Sequence, residues 1–125
     1  MSETKLENFK NAVERLNEAV QLYKKVTLAE LKDACRDSLI KRYEMAFELS
    51  WKTLADFLES KFVRLEFRTP QAIFKEAHCA GYIKNEAPWV AMLKRRNDLV
   101  HNDNNIAKIY TPALNDLLKI ILQNK

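Results

Sequence analysis

Apolar residues recur at alternating spacings of three and four along the first part of the chain, which is the repeat of an α-helix. In the first segment this apolar seam consists of Leu6, Phe9, Val13, Leu16, Val20 and Tyr23. A seam of this kind is typical of a helix that packs nearly parallel or antiparallel to its neighbours in a bundle. The pattern therefore predicts a first helix that buries one narrow face.

A second and longer helix is predicted up to about residue 60. Thr27 and Glu30 have the spacing of a capping box, which predicts the start of this helix. Its apolar face consists of Leu39, Tyr43, Ala46, Phe47, Leu54, Phe57 and Leu58. Met45, Lys52 and Thr53 lie away from that face, so we expect them outside the core.

Shorter elements follow. Thr69 before Pro70 predicts the start of a third helix, and Gly81 predicts its end. A fourth helix opens near Pro88. After the polar residues 101–105, a last helix is predicted through Ile109, Leu114, Leu117, Leu118 and Ile121. The predicted fold is all-α: an antiparallel four-helix up-and-down bundle with a short additional helix, with residues 1–125 forming one domain.

Composition supports this fold and excludes several kinds of site. The 125 residues include one glycine and three prolines, too few for a sheet protein rich in turns and too few for a glycine-rich phosphate loop. Cys35 and Cys79 fall in helical patterns, and we expect two reduced, buried thiols. No metal-ligand or cofactor motif is present, so we expect no metal and no cofactor.

Charge and hydropathy bear on where the protein acts. The net charge of +4 permits contact with nucleic acid without requiring it. The sequence contains neither a signal peptide nor an apolar run near 18 residues. We therefore expect a soluble cytoplasmic protein with no membrane contact.

The fourth helix carries an anomaly, because polar residues stand on its apolar face. With about 100° per residue and Trp89 as the reference, Leu93 and Val100 form an apolar stripe, and Arg96 lies near its middle, about 20° from Trp89. Asn97 and His101 lie along one edge of this stripe. A guanidinium that is buried without a partner costs several kcal/mol, so Arg96 needs a carboxylate, backbone carbonyls, a partner subunit or a polar cleft.

Two interpretations of these residues remain open. Arg96 alone suits a structural ion pair with an acidic residue of a neighbouring helix. Arg96, Asn97 and His101 together suit a site for phosphodiester chemistry without metal, in which the arginine binds phosphate and the histidine moves a proton. The same three residues could instead bind a phosphate-bearing ligand without catalysis, or join two subunits.

Two glutamates on the second helix are candidates for the same site. Glu44 and Glu48 lie one turn apart on the flank of its apolar face. Either could pair with Arg96 or help to bind a ligand. The alternative is that both are surface residues in intrahelical pairs with Lys41 or Lys52.

The run Arg96-Asn97-Asp98-Leu99-Val100-His101 resembles the Arg-x4-His signature of the HEPN (higher eukaryotes and prokaryotes nucleotide-binding) superfamily. The segments 42–52, 72–77 and 81–83, followed by Trp89 ahead of the signature, resemble the nucleotidyltransferase substrate-binding branch of that superfamily. The resemblance covers nearly the whole chain. The three ordered segments are far more specific than the Arg-x4-His spacing alone.

The resemblance implies a five-helix bundle that forms a homodimer and associates with a separate minimal nucleotidyltransferase, with a nucleotide or RNA bound near Arg96, Asn97 and His101. It also implies an alternative, in which Arg96 and His101 are the catalytic residues of a ribonuclease toxin held in check by that transferase. In the toxin pairs a tyrosine two residues after the histidine accepts nucleotidyl groups. Here that position is Asp103, so the resemblance does not extend to this modification.

Overall fold

The chain folds into helices joined by short loops, as its hydrophobic pattern predicts. The computed structural model describes residues 3–95 and 103–125, and no strand occurs among them. The elements are α1 (Glu3–Lys25), α2 (Ala29–Ser60), α3 (Pro70–Cys79), α4 (Ala87–Arg95), α5 (Asp103–Asn105), a π-helical turn (Ile106–Tyr110) and α6 (Thr111–Asn124). The last three follow one another without a break and form one C-terminal helical stretch. The all-α prediction is confirmed.

Helices α1 and α2 form an antiparallel hairpin along almost their whole length. At one end the Lys5 ammonium lies 3.0 Å from the Asp56 carboxylate. At the other end Lys32 donates to the carbonyl of Tyr23 and lies 3.8 Å from the centre of its ring. Between these contacts the α1 seam is buried against α2, and a large apolar side chain such as Phe9 gains about 1.5–3 kcal/mol from complete burial.

The C-terminal stretch packs against the same hairpin. The side-chain amides of Asn17 and Asn115 exchange two hydrogen bonds, of 3.0 Å and 2.9 Å. The hydroxyl of Tyr23 donates to the carboxylate of Asp103. The segment from residue 103 to residue 115 therefore runs antiparallel to α1, and α6 runs in the same direction as α2. None of the helices in the described ranges is both long and apolar enough to cross a bilayer.

Helix α3 begins and ends at the predicted residues and ties α4 to the bundle. Thr69 is its N-cap and accepts a hydrogen bond from the Ala72 amide at 3.3 Å, ahead of Pro70. The ring of Phe74 stacks on that of Trp89 with centroids 4.5 Å apart, and it also contacts Phe47, with centroids 5.9 Å apart. α4 is therefore attached to α2 through α3.

Three predictions about individual residues of the hairpin and α3 are wrong. Thr27 does not cap α2: Leu28 is the N-cap, in extended backbone and without a side-chain hydrogen bond. Thr53 is fully buried rather than outside the core, because α1 covers that side of α2 and the carbonyl of Lys5 accepts from its hydroxyl at 3.5 Å. The thiols are not buried, since Cys35 is half-buried and Cys79, at the exposed end of α3, faces solvent.

The same C-terminal motif ends α2 and α3, with different residues at its key position. After α3 the amides of Gly81 and Tyr82 bond the carbonyls of His78 and Ala77, and Gly81 has φ +86. After α2 the amides of Phe62 and Val63 bond Glu59 and Leu58 in the same pattern. This pairing is a Schellman motif, whose left-handed position glycine occupies without steric cost. Phe62 occupies it with φ 63, and its side chain is 97% exposed.

We predict that Phe62→Gly stabilises the protein. The left-handed conformation destabilises a residue with a Cβ by about 1–2 kcal/mol, and glycine removes this strain. Glycine also has a larger conformational entropy in the unfolded chain, which offsets part of the gain and leaves about 0.5–1 kcal/mol. Urea unfolding followed by circular dichroism measures the change in the free energy of unfolding.

Two matched variants test the cause. Phe67→Gly removes another exposed aromatic of the same loop, at a position without a positive φ, and should destabilise the protein. Gly81→Ala should also destabilise it, through backbone strain alone, since a Cβ at that position meets nothing within 4 Å. A loss of stability in Phe62→Gly would contradict the strain argument.

Candidate functional site

The signature residues predicted as the site, Arg96, Asn97 and His101, lie outside the described residues. The structure does show the elements on either side of them in the chain: α4 is described up to Arg95, and the C-terminal stretch is described from Asp103. The site is therefore described from its two flanking elements and from the helices that hold them.

A tyrosine and an aspartate fix the beginning of the C-terminal stretch to α1. The Tyr23 hydroxyl donates to Asp103, and this hydrogen bond, followed by partial burial and the charge of the carboxylate, raises the pKa of Tyr23 above its ordinary value. The Arg36 guanidinium offsets part of this rise. The role of Tyr23 was missed from the sequence, because it ends the apolar seam of the first helix and reads as a packing residue.

The π-helical turn lies just after this anchor. Thr111 bonds the carbonyl of Ile106 with both its amide and its hydroxyl, the latter at 2.8 Å. The next residue, Pro112, has no N–H to bond the Lys108 carbonyl, and this missing donor favours the wider turn. π-Turns inside α-helices are found frequently at functional sites. Here the turn buries Ile106 and Tyr110 and leaves Lys108 and Ile109 exposed.

The π-helical turn is held against α2 by an aromatic pair. The rings of Tyr43 and Tyr110 stack with centroids 5.5 Å apart. Burial raises the pKa of Tyr43 well above its ordinary value, and the nearby Tyr110 and Glu44 raise it further. Tyr43 therefore remains neutral and acts as a packing group over the physiological pH range.

The two candidate glutamates lie on α2 next to this aromatic pair. Glu44 directly follows Tyr43 and is exposed. Glu48 is half-buried and accepts a hydrogen bond from the indole N–H of Trp51 at 3.2 Å. The structure thus places both side chains on α2 beside the residues that contact the C-terminal stretch, and the pairing of either with Arg96 stays a prediction.

A large open groove separates α4 from α6, and we call it the α4–α6 groove. Its volume is about 1080 Å³, and the loop 81–85 closes one part of it. Buried apolar side chains line it, among them Trp89, Ala113 and Leu117. Its charged residues are Lys84, Lys108, Asp116 and Lys119. Sequence reasoning missed this groove, because it arises from the spacing of two helices rather than from a motif.

The remaining candidate chemistry in the described ranges is limited. Within residues 3–95 and 103–125 no three His, Cys, Asp or Glu side chains converge as metal ligands. His78 lies in the last turn of α3, where its Nδ1 is 2.7 Å from the carbonyl oxygen of Ile83, and its Nε2 is 3.8 Å from Glu86. This histidine ties the loop before α4 to α3.

We predict that Tyr23→Phe costs about 1 kcal/mol of stability at pH 7, the lower end expected for a hydrogen bond to a charged acceptor at a partly exposed site. The pKa of Tyr23 is raised on folding, so its stabilisation is complete below the ordinary tyrosine pKa of about 10 and is lost as pH rises through the higher folded value. The difference in unfolding free energy between wild type and Tyr23→Phe should therefore shrink above pH 10.

Urea titrations at pH 7 and at pH 10–11 measure this difference. Tyr82→Phe is the control, because the Tyr82 ring packs edge-on against Phe57, with centroids 5.0 Å apart, and contributes apolar contact. Its effect on stability is the reference with which the Tyr23→Phe effect is compared at both pH values. A Tyr23→Phe effect that stays constant over the same range would show that the hydroxyl makes no favourable bond to Asp103.

A family profile matches most of the chain. No curated protein matches the chain in sequence. The profile of the family described as "Nucleotidyltransferase substrate binding protein like" matches residues 4–120, which include both flanking elements and the Arg96–His101 signature. The chain therefore belongs to the nucleotidyltransferase substrate-binding protein-like family.

Proposed function

We propose that this chain is the substrate-binding and regulatory subunit of a two-component nucleotidyltransferase. In this proposal it forms a homodimer and a complex with a separate minimal nucleotidyltransferase, which supplies the catalytic machinery. The observation that carries the proposal is the family profile, because it matches residues 4–120 and thus nearly the whole chain. The helical fold supports it, since the described residues are held together as one set of packed helices.

In the proposed complex, a polar cleft around Arg96, Asn97 and His101 binds a nucleotide or RNA. A guanidinium can bind two phosphate oxygens at once, and the asparagine amide and the imidazole supply further hydrogen bonds. The anchoring of Asp103 by Tyr23 and of α4 by the Phe74–Trp89 stack supports this role, because the described elements on both sides of the signature are attached to the bundle. Glu44 and Glu48 are the proposed carboxylates that pair with Arg96 or orient the ligand.

A ribonuclease toxin is the second candidate, favoured by the spacing of Arg96 and His101. There Arg96 would bind the scissile phosphate, and His101 would take the proton of the ribose 2′-hydroxyl without a metal. The two functions differ in whether this chain performs chemistry by itself.

We predict that the chain co-purifies with a minimal nucleotidyltransferase encoded beside it, one that carries a Gly-Ser motif and paired aspartates. Co-expression with a tag on one partner, followed by light scattering on a sizing column, measures the complex and its stoichiometry. We expect the chain alone to elute as a dimer. A chain that stays monomeric and never associates with the transferase would contradict the proposal.

We predict that Arg96→Ala weakens RNA or nucleotide binding by about tenfold or more, the loss expected when a bidentate phosphate contact disappears. Fluorescence titration with labelled RNA measures it. His78→Gln is the matched control, because it changes the other histidine of the chain, which lies in α3. RNA cleavage distinguishes the two functions. If the chain is a binding subunit, RNA stays intact after incubation with the purified protein. Cleavage that is lost in His101→Ala and kept in His78→Gln would establish the toxin instead.

A further inference from the structure

We propose that the α4–α6 groove is the docking site for an amphipathic helix of the partner nucleotidyltransferase, with carboxylates at both ends of its apolar face. The inference rests on the proposed function for the existence of that partner. It adds where the partner binds and what chemistry it presents.

The composition of the groove indicates a partner with an apolar face. Trp89, Ala113 and Leu117 are buried residues that line it, and Ile109 adds an apolar side chain that is 45% exposed. Helices pack through apolar residues at spacings of three and four, and Ile109, Pro112, Ala113 and Leu117 bring apolar side chains to the groove at these spacings. A groove between two helices with an apolar floor is the usual seat of an amphipathic helix.

The charges at the groove indicate an acidic partner. Three lysines and one aspartate line it, so its net charge is positive. Lys108 and Lys119 lie on the same continuous helical stretch, about 16 Å apart along the axis. This distance is too long for both ammonium groups to bind one phosphate group, but it corresponds to about three turns of a docked helix. Carboxylates near each end of such a helix would meet the two lysines.

The charge of the whole chain argues against a second copy of it as the occupant. The net charge is +4, so two copies that met at this lysine-lined groove would bring like charges together. An acidic surface on a different protein removes that repulsion and speeds association.

The test measures affinity between purified full-length chain and purified nucleotidyltransferase by calorimetry. The variant Lys108→Glu/Lys119→Glu reverses the charges at the groove, and we expect it to weaken the complex by about tenfold or more. Ile109→Ser should also weaken it, through the apolar contact. The matched control is Lys10→Glu/Lys75→Glu, which reverses two exposed lysines on α1 and α3 and should bind as wild type does.

Each result decides between the two proposals. Failure of the wild-type chain to bind the transferase would contradict the proposed function. If the groove variant binds the transferase as tightly as the wild-type chain does, the groove inference alone is overturned. The same holds if the control variant loses as much affinity as the groove variant. A groove variant that loses dimerisation or RNA binding while its affinity for the transferase is unchanged would assign the groove to a second copy or to nucleic acid, and would also overturn it.

Discussion

The apolar seam between α1 and α2 is the contact on which the remaining structure depends. Both helices are long, and the seam is buried along the hairpin, so it supplies a continuous surface to which shorter elements attach. α3 has ten residues, a length at which an isolated helix is marginal in water. Its stability therefore comes from packing, through Phe74 onto Phe47 of α2, and Trp89 of α4 packs in turn onto Phe74.

Polar contacts between helices then set the register that apolar packing leaves loosely specified. The Asn17–Asn115 pair fixes the position of α6 along α1. The Tyr23–Asp103 hydrogen bond fixes the start of the C-terminal stretch near the C-terminal end of α1. Each pair satisfies both partners, and a slip of one turn would leave partly buried amide or hydroxyl groups unpaired at a cost of about 1–3 kcal/mol each. The position of Asp103, two residues after the end of the signature in the chain, is thus determined by α1.

Features set by neighbouring residues could be predicted from the sequence, and features set by tertiary packing could not. Thr69, Pro70 and Gly81 act within one turn of their own helix, and their roles are confirmed. Thr27 does not cap α2 although its capping signal is local, and Thr53 is buried because α1 covers that side of α2. For the site, sequence spacing singles out Arg96, Asn97 and His101, whereas the Tyr23 anchor and the α4–α6 groove require knowing which helices meet.

The walls of the groove and the flanks of the signature are the same two elements. α4 is held to α3 by the Trp89–Phe74 stack, and the C-terminal stretch is held to α1 and α2 by Asp103 and Tyr110. Both attachments reach neighbouring residues of α2, since Phe74 contacts Phe47, Tyr110 contacts Tyr43, and the rings of Tyr43 and Phe47 have centroids 6.1 Å apart. The groove lies between α4 and the C-terminal stretch. The signature lies in the chain between these two elements. A partner helix that filled the groove, as we propose, would therefore contact both elements that flank the signature.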